Sequence, residues 1–142
     1  MNVADIIDAC DRKFRAQGLE RLTPKERLVV LASWANFEVE QGGMGAFFHN
    51  LSGTYARETV AALIELGAMD EAAAINKGRE LLRHRSWKQL AASREFERLT
   101  DKFLAAMPGL FERLGTFIEA HADELGKSAR GRLAGRARKA RA

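Results

Sequence analysis

A chain of 142 residues, 46% hydrophobic and 30% charged, has the length of one globular domain. Such a domain can bury a sizeable core without disulfides or metals, and this balance excludes a wholly disordered chain and a membrane-embedded one. Cys10 is the only cysteine, which excludes an intrachain disulfide, and the net charge of +4 is the sum of two regions of opposite sign.

From Lys127 to Ala142 there are seven basic residues (Lys127, Arg130, Arg132, Arg136, Arg138, Lys139 and Arg141) and no acidic one. Residues 1–126 therefore hold sixteen basic against nineteen acidic side chains, a charge of −3. No apolar run approaches the ~20 residues that a spanning helix needs. The amino terminus, MNVADIIDACDRKFR, has neither the basic start nor the apolar centre of a secretory signal. A cytoplasmic protein with no membrane association is expected.

Helical periodicity runs through the body, and alternation of β-branched residues is almost absent. A first helix is predicted over Val3 to Ala16, with Ile6, Cys10 and Phe14 four apart on one face and Gly18 ending it. Leu22-Thr23-Pro24-Lys25-Glu26 predicts the next start. Thr23 is the N-cap, Pro24 takes the first helical position, and Glu26 closes a capping box three residues on. That helix should reach Glu40, with Val30, Trp34 and Phe37 on its apolar stripe. Gln41-Gly42-Gly43 then breaks it, because paired glycines supply positive φ at little steric cost.

A short helical piece from Met44 to His49 carries Phe47 and Phe48. Asn50-Leu51-Ser52-Gly53 forms a second turn. Ser52 or Thr54 can cap a helix from Tyr55 to Leu66, which ends at Gly67. Asp70 is expected to cap a helix from Glu71 to Arg83, within which Gly78 implies close approach of a neighbour. Ser86-Trp87-Lys88-Gln89 has the capping-box pattern. Phe96, Leu99, Phe103 and Met107 form the next stripe. Pro108-Gly109 is expected to break or kink that run before a last helix carrying Leu110, Phe111, Leu114, Phe117, Ile118, His121 and Leu125. The result is an all-α domain of six to seven helices over residues 1–126. The segment 127–142 has Leu133 as its only large apolar residue, too little to offset its ordering entropy, so a disordered basic tail is expected.

The segment Glu38-Val39-Glu40-Gln41-Gly42-Gly43-Met44-Gly45-Ala46-Phe47-Phe48-His49-Asn50-Leu51-Ser52-Gly53 resembles the motif of a bacterial family of domains of unknown function related to a DNA mimic protein. That motif has an acidic helix end, Asn-Gly-Gly, an aromatic, a Gln, two aromatics, an Asn and a Gly. A helix ending in Leu-x-x-Gly-Ala or Ile-Gly-Ala follows it. Here the helix end reads Leu63-Ile64-Glu65-Leu66-Gly67-Ala68. Leu22 to Arg27 and Leu99 to Phe103 are similar to the family as well, so the resemblance covers residues 21–125. Gln41 stands where the family has Asn, Met44 where it has an aromatic, and Ala46 where it has Gln. The resemblance implies an all-helical fold and a dimer. Mimicry of DNA needs dense negative charge, since duplex DNA carries one charge per ~1.7 Å, and a body at −3 with a basic tail is poorly suited to it.

Two readings of the motif stand side by side. In one, the glycines turn the chain, Phe47 and Phe48 fill the core, and Asn50 closes a helix end. In the other, Glu38, Gln41, Gly42, Gly43, Phe47, Phe48, His49, Asn50 and Gly53 frame a binding groove. Glu38, one turn before the glycines, could accept from backbone N–H groups there. Glu38, Glu40, Asp70 and Glu71 are otherwise expected at the surface. His49, His84 and His121 show no metal-ligand spacing. Gly42-Gly43-Met44-Gly45 lacks the Lys-Ser/Thr and the strand of a phosphate loop. No catalytic residue, cofactor or metal is therefore assigned. The expected role is a helical protein-interaction module that docks a protein partner or forms a homodimer. The alternative is binding of nucleic acid or another polyanion through the seven cations of the tail.

Overall fold

The computed structural model describes residues 2–127, with Leu51 and Ser52 described by their backbone only. Among the described residues the elements are helices, and no strand occurs. They are α1 (Val3–Gln17), a 3₁₀ turn (Leu19–Arg21), α2 (Pro24–His49), α3 (Leu51–Thr54), α4 (Ala56–Glu65), α5 (Met69–Leu82), α6 (Trp87–Ala91) and α7 (Arg94–Ala120). No helix among them is long and apolar enough to cross a membrane. Lys127 is exposed, and the rest of the expected tail, Arg130 to Arg141 included, lies outside the described residues.

The chain divides into two compact units. The first combines residues up to Val30 with those from Gly115 on. Its α1 begins with a capping box in which Asn2 Oδ1 accepts from the Asp5 N–H at 2.8 Å and Asp5 Oδ2 accepts from the Asn2 N–H at 3.3 Å. Gly18, at φ +85°, ends the helix. Ile6, Cys10 and Phe14 are buried on one face, as their spacing predicts, and Leu19, Leu22, Leu28, Ile118 and Leu125 are buried in the same unit.

Between α1 and the start of α2 lies an ion pair. Lys13 Nζ donates to Glu26, with side-chain exposures of 5% and 3%. The same carboxylate closes the predicted capping box. It accepts from the Thr23 N–H at 2.9 Å, and Thr23 Oγ1 accepts from the Glu26 N–H at 3.2 Å. Burial alone would push the Glu26 carboxyl up. The Lys13 hydrogen bond and charge, with the Thr23 bonds, outweigh it and hold the group below the usual carboxylate range. Burial pushes the neighbouring Cys10 thiol up to about 12, helped by the Glu26 charge and opposed by Lys13.

The second unit runs from Leu31 to Leu114. Val39, Met44, Phe47, Leu63, Ile75, Leu90, Phe96, Phe103 and Leu110 are buried in it. α4 ends as expected at Gly67, φ +79°, where the Ala68 N–H reaches the Leu63 carbonyl at 2.8 Å.

Three expectations need correction. Asp70 does not cap α5. The helix begins two residues earlier than expected, at Met69, its N-cap is Ala68 without a side-chain bond, and Asp70 lies in the first turn. Its charge there still suits the positive end of the helix. α4 likewise starts after Tyr55 with no side-chain cap, so Thr54 does not serve. Finally, α7 runs unbroken through Pro108. Pro108 and Gly109 are exposed, so the proline ring faces solvent and not the packed face of the helix. Buried Phe103, Leu110 and Leu114 hold the helix on either side of it.

Candidate functional site

The glycine-punctuated bend brings the motif residues into one cluster, all within the second unit. α2 is assigned continuously to His49, but Gly42 (φ −149°, ψ 16°) and Gly43 (φ +72°, ψ −167°) leave the helical region. The helix is therefore two pieces joined at the predicted break. Only Gly43 needs its glycine for φ. A Cβ there would also meet Thr100 Oγ1 at 3.0 Å. That same hydroxyl accepts from the Met44 N–H at 2.9 Å and donates to the Phe96 carbonyl at 2.9 Å. A backbone donor freed by the bend is thus satisfied from α7.

The polar groups singled out in the sequence bond one another. Asn50 Nδ2 donates to Glu38 Oε2 at 2.6 Å. Glu38 is 6% exposed, which corrects the expectation of a surface carboxylate, and it accepts from the Asn50 amide rather than from the backbone N–H groups it could have reached at the glycines. The second piece of α2 turns the chain so that Asn50 returns to the level of Glu38, twelve residues earlier. Glu71 is the other correction, 4% exposed on α5. Burial raises its pKa, with its own backbone N–H opposing, Asp70 adding and the Arg113 charge lowering. Glu40 and Asp70 are exposed, as expected, and so is Gln41.

The aromatic pair behaves as a plug. Phe47 is fully buried and meets Phe48 edge to face at 5.0 Å. Phe48 lies 5.7 Å from the Phe96 ring. A Cβ on Gly78 would stand 2.5 Å from Phe48 Cε2, and one on Gly53 would stand 2.3 Å from the Phe48 carbonyl oxygen. The close approach expected at Gly78 is therefore made by the Phe48 ring, and Gly53 is a glycine because a backbone carbonyl fills the space.

His49 is exposed and stacks on Trp87, centroids 4.3 Å apart and planes 26° apart. The Trp87 indole N–H donates to the Gly45 carbonyl at 2.9 Å, and α6 opens with the predicted Ser86–Gln89 capping box. Trp87 and Thr100 thus complete the cluster, yet sequence reading did not place them there. Each acts on a partner more than forty residues away, and helical spacing carries no trace of that. His121 packs on Phe117 in the first unit, and His84 is exposed at the end of α5. No group of three or more metal-ligating side chains occurs among the described residues.

No curated protein and no solved structure matches the chain. One family does, under the description DMP19-like protein, over residues 20–121. That stretch takes in the Thr23 cap, the bend and most of α7, close to the 21–125 expected from the resemblance. The chain belongs to the DMP19-like family.

Proposed function

We propose that the chain is a non-catalytic helical interaction module of the bacterial cytoplasm, docking a protein partner or a second copy of itself. The observation that carries this reading is the aromatic pair on α2, just before the bend. Trp34 and Phe37 meet edge to face at 6.3 Å and 77°, and Phe37 is 54% exposed. A ring braced against another ring while open to solvent offers large contact area with little conformational entropy left to lose. Side chains at the centre of protein interfaces have that property. The bend supports the non-catalytic half of the reading, since Glu38 is spent on Asn50 and His49 on Trp87.

Light scattering over a range of concentrations, together with capture by the immobilised chain, tests the proposal. The intact chain should associate with itself or retain a defined protein. Phe37→Ser should weaken that association by about 2 kcal/mol, some thirtyfold. A strict monomer that captures nothing contradicts it.

The charge distribution favours a second reading, a polyanion contact through Lys127, Arg130, Arg132, Arg136, Arg138, Lys139 and Arg141. Counterion release makes such binding steeply salt-dependent. The intact chain should bind duplex DNA more tightly than one ending at Gly126, and the difference should shrink as salt rises.

A further inference from the structure

The charge of the body is as unevenly distributed as that of the whole chain. Residues 83–94 contain Arg83, Arg85, Lys88 and Arg94, with His84, and no acidic residue. The other residues of 1–126 then hold twelve basic against nineteen acidic side chains, or −7.

The structure makes this segment a fixed arch on the second unit. The N–H groups of Arg83, His84 and Arg85 bond the Glu80 and Leu81 carbonyls and wind up the end of α5. The Ser86–Gln89 capping box starts α6. Trp87 is tied to the Gly45 carbonyl, and Leu90 is fully buried. Ser93 Oγ donates to the Leu90 carbonyl and accepts from the Phe96 N–H, which starts α7. With Trp87 and Leu90 facing inward, Arg83, His84, Arg85, Lys88 and Arg94 are all left exposed. Among the described residues the arch makes one ion pair, Arg85 with Glu95 at 2.9 Å.

Local helix electrostatics explain only part of this set. Arg83 and Arg85 suit the negative end of α5. Arg94 is the first residue of α7, where the helix dipole disfavours a cation. It also stands four residues from Arg98 on the same face, a like-charge spacing that destabilises a helix. We propose that this arch is a contact site for the phosphate backbone of nucleic acid, bound without regard to sequence. Arginine dominates the set, and its guanidinium fork matches phosphate oxygens two at a time. Trp87 already carries His49 on its ring, so the arch offers charge more than a base-stacking platform.

This inference shares its ligand class with the second reading above but rests on different residues, so each can fail without the other. Its test uses the full chain, with duplex DNA followed by fluorescence anisotropy between 50 and 200 mM salt, values on the order of those over which such binding changes most. Arg83→Gln/Lys88→Gln/Arg94→Gln should lower the slope of log affinity against log salt by about 2 to 3. Affinity at the lower salt should fall at least about tenfold. A chain with its 127–142 cations changed to Gln should keep a slope that the arch triple variant then removes. Arg12→Gln/Arg21→Gln/Arg57→Gln, also exposed, should leave the slope as it was. The proposal is overturned if the arch variant binds like the parent, or if the Arg12/Arg21/Arg57 variant loses as much. It is also overturned if arch-dependent binding is found for poly-glutamate and not for DNA, which would mark the arch as a dock for an acidic protein. Helical circular dichroism of each variant confirms that the fold is kept.

Discussion

Lys13 and Glu26 show how much a single pair of side chains can decide. Both are buried, and a buried charge is tolerated only when it is paired and hydrogen-bonded. Lys13→Met removes one charge and leaves the other in the core, so unfolding free energy should fall by about 3 kcal/mol in urea. The same pair sets an acid response. The folded Glu26 titrates below its unfolded range, so its contribution is complete above the unfolded carboxylate pKa of about 4.3. It is lost as pH falls through the lower, folded value. Glu71 runs the other way. Its pKa is raised by burial, so its contribution is complete at low pH and is lost as pH rises through the folded value. Glu71→Gln should therefore raise the thermal midpoint at neutral pH and leave it unchanged near pH 4, a value on the order of the unfolded carboxylate pKa.

Among the elements, the bent α2 shows how far sequence reading reaches. The Thr23–Glu26 and Ser86–Gln89 boxes, the stops at Gly18 and Gly67 and the break at Gly42-Gly43 all follow from chemistry within four residues, and the structure has them. Partners distant in sequence could not be read. Lys13 looks like a surface residue until Glu26 is placed against it, and Thr100 is an unremarked helical residue until it meets Met44. At Pro108 the break that the local signal allowed does not occur, and α7 continues between flanking buried residues.

The two tight glycines separate backbone from side-chain crowding. At Gly53 the obstacle is a carbonyl that cannot move, so Gly53→Ala should cost about 3 kcal/mol or more. At Gly78 the obstacle is the Phe48 ring. Overpacking of roughly 1–3 kcal/mol is partly offset there by the ~1 kcal/mol that Ala gains over Gly inside a helix. Urea unfolding of the two variants should thus rank Gly53→Ala as the more damaging.

At the scale of the whole molecule, the sequence divides its charge: residues 83–94 are basic, the other residues of 1–126 sum to −7, and 127–142 hold seven cations. We propose that the bend serves the fold, since Glu38 bonds Asn50, Phe47 is buried and Phe48 packs on Phe96. That claim is tested most directly by the unfolding free energy of Asn50→Ala. The exchange strands a buried Glu38 oxygen, so stability should drop by about 1–3 kcal/mol, with partner and DNA binding kept under folding conditions. Unchanged stability accompanied by lost binding would instead make Glu38 and Asn50 part of a recognition site.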